Sequence, residues 1–328
     1  MLYLDDEHIP EDNVDWDDII ETIAEAVDIL HAGDFSQPVK PYLRYRDKAN
    51  RIIAMPAFMG GQVNMAGIKW IASFPGNLVK GMPRAHSVTI LNEADTGKPC
   101  CIINTNRVSA IRTAGVTGFL LRELLRLRQP GGRSLDVGIT GLGPIGIRHL
   151  EMLAQVAGDN IRCCRLFDIS PGLRPPVPAA IAGCTRIVSS WQEAYADADI
   201  FITCTVASAR YIDLPPKAAS LHLNVSLRDY TIDAMKAMDH LVVDNWEEVC
   251  RENTDIENMH LSAGLKEKDV CALSDPAFYT RLESFGSDST VMFNPMGMAV
   301  FDIATANYFF RKAGHDYDRL RPARRSEV

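Results

Sequence analysis

Gly141-Leu142-Gly143-Pro144-Ile145-Gly146 reads GxGxxG, directly after the apolar run LDVGIT and directly before the helical stretch IRHLEMLAQVA. In this spacing the first glycine makes a tight turn, the second lets backbone approach a pyrophosphate, and the third allows close helix–strand packing. The N-terminus of the following helix then faces the anion. Asp168 ends the next strand-like run, CRLFD, roughly twenty residues on, where a carboxylate accepts ribose hydroxyls and repels a 2′-phosphate. The pattern predicts NAD rather than NADP. Ile169 and Ser170 bring no cation beside Asp168, and Arg174 is the first one after it.

A second group of residues precedes this motif: Lys40 and Arg44 in QPVKPYLRY, Lys69 in GIKW, and Arg112 in AIRTAG. Each alone reads as a solvated or snorkelling charge. Lys69, however, interrupts an apolar strand pattern between Ile68 and Trp70, so its amine either lies along a sheet surface or points into a pocket that needs it. Arg112 stands among Ala110, Thr113 and Gly115, small residues that permit close approach of a ligand. Together the cations suggest a polyanionic substrate. A unit-charge pair at ~4 Å is worth roughly 4 kcal/mol at an effective dielectric near 20, enough to offset much of the cost of drying a carboxylate. Asp229, after the apolar run SLHLNVS, lies where parallel sheets place their ligands. It is either an acid/base or a cap for a helix starting near Thr231.

The elements that must position these residues divide into two kinds. Residues 15–31 have a helical period with acids in the first turn, and strand-like runs follow at 51–55, 67–73, 86–92 and 100–104, the last two joined by the turn chemistry of Asp95-Thr96-Gly97. This predicts an α+β domain on a mostly antiparallel sheet. A long helix from Asn106, with Val108, Ile111, Gly115, Gly118, Leu121 and Leu125 along one side, ends before Pro130-Gly131-Gly132 and bridges to the second part. There LDVGIT, CRLFD, DIFITCT, SLHLNVS and HLVVDN are apolar without alternation, which suits a parallel sheet covered on both faces. Pro171, Pro175, Pro176 and Pro178 predict a short or irregular helix after Asp168. Residues 298–312 are helical and apolar enough to return to the first domain. The expected fold is α/β: a Rossmann-type doubly wound NAD domain over 116–299, and a discontinuous α+β substrate and dimerisation domain over 1–115 and 300–328.

With 47% hydrophobic and 23% charged residues over 328 positions, the composition is that of a globular chain long enough for two domains. A net charge of −8 argues against nucleic acid as partner, and the Arg321–Arg325 stretch reads as a solvated tail. Asp5, Asp6 and Glu7 stand where a secretory signal needs positive charge, and no apolar run has membrane-spanning length, so a cytoplasmic location without membrane contact is expected. Eight cysteines, with no CxxC and no Cys/His cluster of zinc spacing, predict reduced, mostly buried thiols and no metal site.

GIKW, SAIRTAG, GLGPIG and NPMGMAVFDIATA together resemble the ornithine cyclodeaminase/μ-crystallin family, over nearly the whole chain. QPVKPYLRY, RIIAMP, GIKWIAS, ITCTV and VVDNWEEVCREN are similar to a branch of it that forms 2,3-diaminopropionate. The resemblance implies a homodimer and assigns roles. Lys40, Lys69 and Arg112 would hold substrate carboxylates, with Arg44 a further candidate. Asp229, assisted by Lys69, would be the acid/base. Arg112, Thr113, Gly141, Gly143, Pro144, Ile145, Gly146, Asp168, Thr205, Val206, Val225, Ser226, Met296 and Gly297 would lie along NAD. Two departures stand out. Leu227-Arg228-Asp229 replaces the GGD of cyclodeaminases, which argues against ornithine cyclisation. Phe301 precedes Asp302 where the family often has Glu, which weakens any role for the acids of the terminal helix.

The activity implied is NAD-dependent oxidation of N-(1-amino-1-carboxy-2-ethyl)-L-glutamate, a small anionic amino-acid conjugate supplied by a PLP-dependent synthase. Hydrolysis would give L-2,3-diaminopropionate, for a siderophore or peptide natural product, and 2-oxoglutarate. Other activities on this scaffold are ornithine cyclodeamination, ketimine reduction and amino-acid dehydrogenation. A nicotinamide-binding protein without turnover is the reading from a different class.

Overall fold

The alternating N-terminal runs form long antiparallel strands. The computed structural model describes residues 1–128 and 134–320, so the Pro130-Gly131-Gly132 stop and the Arg321–Arg325 tail lie outside the described residues. Arg51–Met59, Met65–Ser73, Ala85–Glu93 and Pro99–Ile103 pair antiparallel in chain order. Leu2–Leu4 adds to Pro99–Ile103 in parallel, and the short strands Phe35–Ser36 and Tyr42–Leu43 pair with Arg51–Met59, completing seven strands. The terminal helix Ala299–Leu320 packs across Arg51–Met59, Met65–Ser73 and Ala85–Glu93. Gly67 permits that approach, because a Cβ there would stand 2.9 Å from Ile303 Cδ1.

The second unit is built on an eight-stranded sheet in which every pairing is parallel. Its order is Thr185–Ile187, Ile161–Phe167, Leu135–Thr140, Ile200–Thr203, Leu221–Asn224, Val291–Asn294, His240–Val243, Cys271–Ala272. Leu135–Thr140 and Ile200–Thr203 are buried at every position, which is why neither alternates in sequence. Three strands were not expected: Thr185–Ile187, Cys271–Ala272 and the central Val291–Asn294. The last is four residues long and stops before Pro295, too short a run for periodicity to show. After Asp168 the only helix before the next strand is Ala179–Ala182, as the prolines require.

Contacts within the chain gather Met1–Asp15, Gly33–Arg112 and the terminal helix from Ala299 into one unit, and Trp16–Ala32 with Thr113–Met298 into the other. The sequence reading put residues 16–32 with the antiparallel sheet; here the helix Trp16–His31 goes with the parallel one. Its Ile19 and Ile20 lie against Gly115 and Gly118, where a Cβ would come within 2.7 Å and 2.9 Å of them. Glycine at both positions lets the two helices meet closely. All eight cysteines are unpaired: Cys101, Cys164 and Cys271 are buried and the other five half-buried. No described helix is long and apolar enough to cross a membrane.

Candidate functional site

Two elements bring cations to Asp302 of the terminal helix. Lys69 projects from the strand Met65–Ser73, on the face it shares with Met55 and Thr89, its buried cross-strand neighbours. The amine is 3% exposed and does not lie along a surface. It sits 2.8 Å from Asp302 Oδ1 and donates to Ser109 Oγ at 3.3 Å. Arg112, from the helix Arg107–Arg128, donates through Nε to Asp302 Oδ1 at 2.7 Å and through Nη2 to Oδ2 at 3.3 Å. Two buried cations therefore share one carboxylate that is itself 1% exposed.

Burial brings the Lys69 pKa down from 10.5 to about 7; Asp302 opposes this, while Arg112 and Lys40 push the same way. Such an amine is poised to give or take a proton near neutral pH. Burial acts to raise the Asp302 pKa, but Arg112 and Lys69 outweigh it and hold the carboxyl below its ordinary range. Phe301 before Asp302 weakens the case for this helix's acids on sequence grounds, yet Asp302 is the shared counter-ion. An acid inside the apolar run MAVFDIATA was the available signal, because a buried carboxylate requires partners. Lys40 is also buried and close enough to weigh on Lys69. Arg44 is exposed, its guanidinium 4.8 Å from the centre of the Tyr42 ring.

In the second unit the glycine turn closes the C-terminal end of Leu135–Thr140, beside the C-terminal end of Ile200–Thr203. These neighbours mark the point where the strand order reverses, the place for a ligand in such sheets. Gly141 has φ +86°, and a Cβ there would meet the Cys204 backbone at 2.5 Å. A Cβ on Gly146 would stand 2.0 Å from Gly141 O, so the helix could not approach its strand. At Gly143 a Cβ would point into open space. That residue caps the helix Pro144–Val156 without a side-chain bond, and Pro144 occupies the first turn, where its missing N–H costs nothing. Asp168 accepts the Leu142 N–H at 2.7 Å and the Ser170 N–H at 2.8 Å, fixing the carboxylate beside the turn. Arg174 is exposed and donates to Leu173 O. These residues fit a dinucleotide: an open helix end for pyrophosphate and a held carboxylate for ribose.

Asp229 is 0% exposed and does not cap the following helix; Thr231 does, accepting from Ala234 N. Its carboxylate instead gathers hydroxyls. Thr205 Oγ1 donates to Oδ1 at 2.7 Å, Ser226 Oγ to Oδ2, and Tyr211 Oη reaches Oδ2 at 3.5 Å and Thr140 Oγ1 at 3.2 Å. Burial raises the Asp229 pKa, opposed by the bonds from Ser226 and Thr205 and reinforced by Asp255. Sequence reasoning missed Tyr211 and Asp255, which meet Asp229 only across the fold, and Thr140, which meets Tyr211; no local pattern marks them. Thr205 and Ser226, expected along the cofactor, are brought to this carboxylate.

Leu227, where the resemblance expects glycine, has φ +64° and its side chain is buried in the apolar cluster of the parallel-sheet unit. Left-handed backbone costs a branched residue roughly 1–2 kcal/mol, whereas truncating a buried leucine costs about 2–5 kcal/mol. Packing wins, so Leu227→Gly should destabilise the protein by about 2 kcal/mol, read as a lower denaturant midpoint. A variant more stable than wild type would show that strain dominates. Of the other residues expected along the cofactor, Val206 is exposed, Thr113, Val225 and Met296 are half-buried, and Gly297 has φ +89° and donates its N–H to Asp244 Oδ2 at 2.5 Å.

Comparison with known proteins agrees with this architecture. The chain is 30% identical to the N-((2S)-2-amino-2-carboxyethyl)-L-glutamate dehydrogenase of Staphylococcus aureus, covering 95% of each chain. It is 25% identical to an alanine dehydrogenase of Archaeoglobus fulgidus over 92% of this chain and 91% of the relative. Among solved structures, the Δ1-pyrroline-2-carboxylate reductase of Thermococcus litoralis, in complex with NADH and L-proline, superposes with a TM-score of 0.83 at 21% identity, covering 97% of this chain and 98% of that one. At that identity the likeness speaks for the fold. Residues 6–215, which include the four long antiparallel strands, Lys69, Arg112, the glycine turn and Asp168, match the family model, and the chain belongs to the ornithine cyclodeaminase/mu-crystallin family.

Proposed function

We propose that this chain is an NAD-dependent oxidoreductase that converts N-(1-amino-1-carboxy-2-ethyl)-L-glutamate to L-2,3-diaminopropionate and 2-oxoglutarate. The observation that carries the reading is the pair of buried cations, Lys69 and Arg112, sharing the single carboxylate of Asp302. A desolvated cationic pair of this kind favours an anionic ligand, and the proposed conjugate has three carboxylates. The near-full-length similarity to the S. aureus dehydrogenase supports the choice of substrate.

The chemistry NAD supplies when bound is acceptance of a hydride from the glutamate α-carbon. Overall, conjugate, NAD and water give diaminopropionate, 2-oxoglutarate, NADH and a proton. The chain's own part is binding and proton movement. Lys69, Arg112 and Lys40 hold carboxylates, and Arg44 lies on the exposed approach. The secondary amine must lose a proton before oxidation, and water must lose one to attack the resulting imine. Asp229 takes these protons through its bonds to Thr205 and Ser226, and Lys69 assists. A homodimer, a PLP-dependent synthase upstream and a siderophore or peptide product downstream belong to the same reading.

Mass spectrometry of the products formed from the conjugate and NAD tests the proposal. Equal amounts of diaminopropionate, 2-oxoglutarate and NADH are expected, with no conversion of ornithine or alanine under the same conditions. Ornithine converted to proline without net NADH would replace the reading with cyclodeamination. Cofactor choice is tested separately. Asp168→Ser removes a charge-assisted acceptor worth about 1.5–3 kcal/mol, so KM for NAD should rise by about tenfold or more while discrimination against NADP falls. Unchanged cofactor preference would remove Asp168 from the ribose site.

A further inference from the structure

Beneath Asp229 lies a second buried acid that the proposed chemistry does not use. Asp255 opens the helix Asp255–Ala263 and is 1% exposed. Its Oδ2 accepts the backbone N–H groups of Asp229 at 3.1 Å and Tyr230 at 3.2 Å, and Asn224 Nδ2 at 3.0 Å. Oδ1 accepts Arg210 Nε at 2.7 Å. The link is reciprocal, because the Asp255 N–H donates to Leu227 O at 2.7 Å. Arg210 also donates to Asn253 O at 2.9 Å and Thr254 O at 3.1 Å, and Arg228 spans the same loops by donating to Glu252 O at 2.9 Å.

The backbone tied down in this way does not favour its own shape. Leu227 and Glu252 have φ of +64° and +63°, left-handed values that such side chains resist and that surrounding bonds must impose, and Asn253, a residue that tolerates this region, has φ +57°. A helix cap needs none of this arrangement, since Thr254 already caps its own helix by accepting from Glu257 N. Removing the Asp255 carboxylate would leave two buried N–H groups unpaired in the turn that carries Asp229, at about 1–3 kcal/mol each. The turn could then relax away from the geometry that aims Asp229 at Thr205 and Ser226.

We propose that Asp255, braced by Arg210, is the positioning residue for Asp229: it holds the turn 227–230, in which Leu227 is left-handed, and sets the electrostatic field in which the Asp229 carboxylate works. The inference rests on the reading of Asp229 as the acid/base. The titratable groups facing Asp229 are Asp255, Cys204, Tyr211 and Tyr230, with Arg210 on the far side of Asp255. Burial pushes the Cys204 thiol and both phenols upward, so they stay neutral at working pH. Asp255 is the one group of the set that carries charge against Asp229.

The test uses the full-length protein carrying 13C-carboxyl aspartate, with the Asp229 signal identified by its loss in Asp229→Asn. Titration by NMR is read beside turnover of the diaminopropionate–glutamate conjugate with NAD. In Asp255→Asn the Asp229 titration should move to lower pH, because a neighbouring negative charge is gone, and kcat should fall by about tenfold or more with NAD affinity unchanged. Arg210→Gln, which keeps the bonds from Asp255 to the turn, covers the case in which the first variant does not fold. It leaves Asp255 uncompensated and should move the Asp229 titration upward. An Asp229 titration that stays at its wild-type pH in the folded variants overturns the proposal. If Asp229→Asn itself keeps wild-type turnover, the acid/base reading fails instead, whatever Asp255 does to the titration.

Discussion

Asp229→Asn should lower turnover by about 10²-fold or more, with NAD affinity close to wild type, as for loss of a positioned general acid/base. Asparagine keeps the shape of the side chain and can still accept from Thr205, so the change removes proton capacity more than packing. The pH profile supplies an independent reading. A carboxylate can act as a base only when ionised, and the buried surroundings of Asp229 hold its pKa above the ordinary 3.8. As pH falls through that raised value the carboxylate is protonated, so kcat/KM should decline on an acid limb lying above pH 3.8 and absent from the Asn variant's residual activity. Wild-type kcat in the variant, or an acid limb that survives the substitution, ends the assignment.

Asp302→Ala is expected to cost about 3–5 kcal/mol of stability, the range for removing one partner of a buried ion pair and leaving the other uncompensated. Here the loss strands two buried cations, Lys69 at 2.8 Å and Arg112 at 2.7 Å. Chemical denaturation should show a lowered midpoint with an unchanged slope. Adding Lys69→Met to Asp302→Ala should recover part of the loss, because one of the stranded charges is gone, giving a non-additive double-mutant cycle. Strict additivity would mean that the two side chains do not share a site. An anionic ligand should also stabilise the Asp302→Ala protein more than the wild type, since it replaces the missing carboxylate.

These expectations rest on residues that were unequally visible in the sequence. The glycine turn and Asp168 could be located because their function depends on local spacing: a tight turn, a helix start and the end of the next strand recur at fixed offsets. Val291–Asn294 escaped because four buried residues before a proline carry no period, although the strand lies in the middle of the parallel sheet. Helix Trp16–His31 was recognised as a helix but assigned to the other unit. Its apolar stripe shows that it packs, whereas the choice of partner depends on the shallow face at Gly115 and Gly118.

The sequence by itself determined the two kinds of sheet, the dinucleotide turn, and the presence of Lys69, Arg112 and Asp229 as candidates for a site. Only the tertiary structure decided that Lys69 is buried against Asp302, that Arg44 stays at the surface, that Thr231 rather than Asp229 caps the next helix, and that Asp255 stands behind Asp229. The physical reason is range: turn chemistry and periodicity act over a few residues. The ionisation of a buried charge is set by whatever the fold brings within a few ångströms, as Lys69 and Asp302 show from opposite ends of the chain.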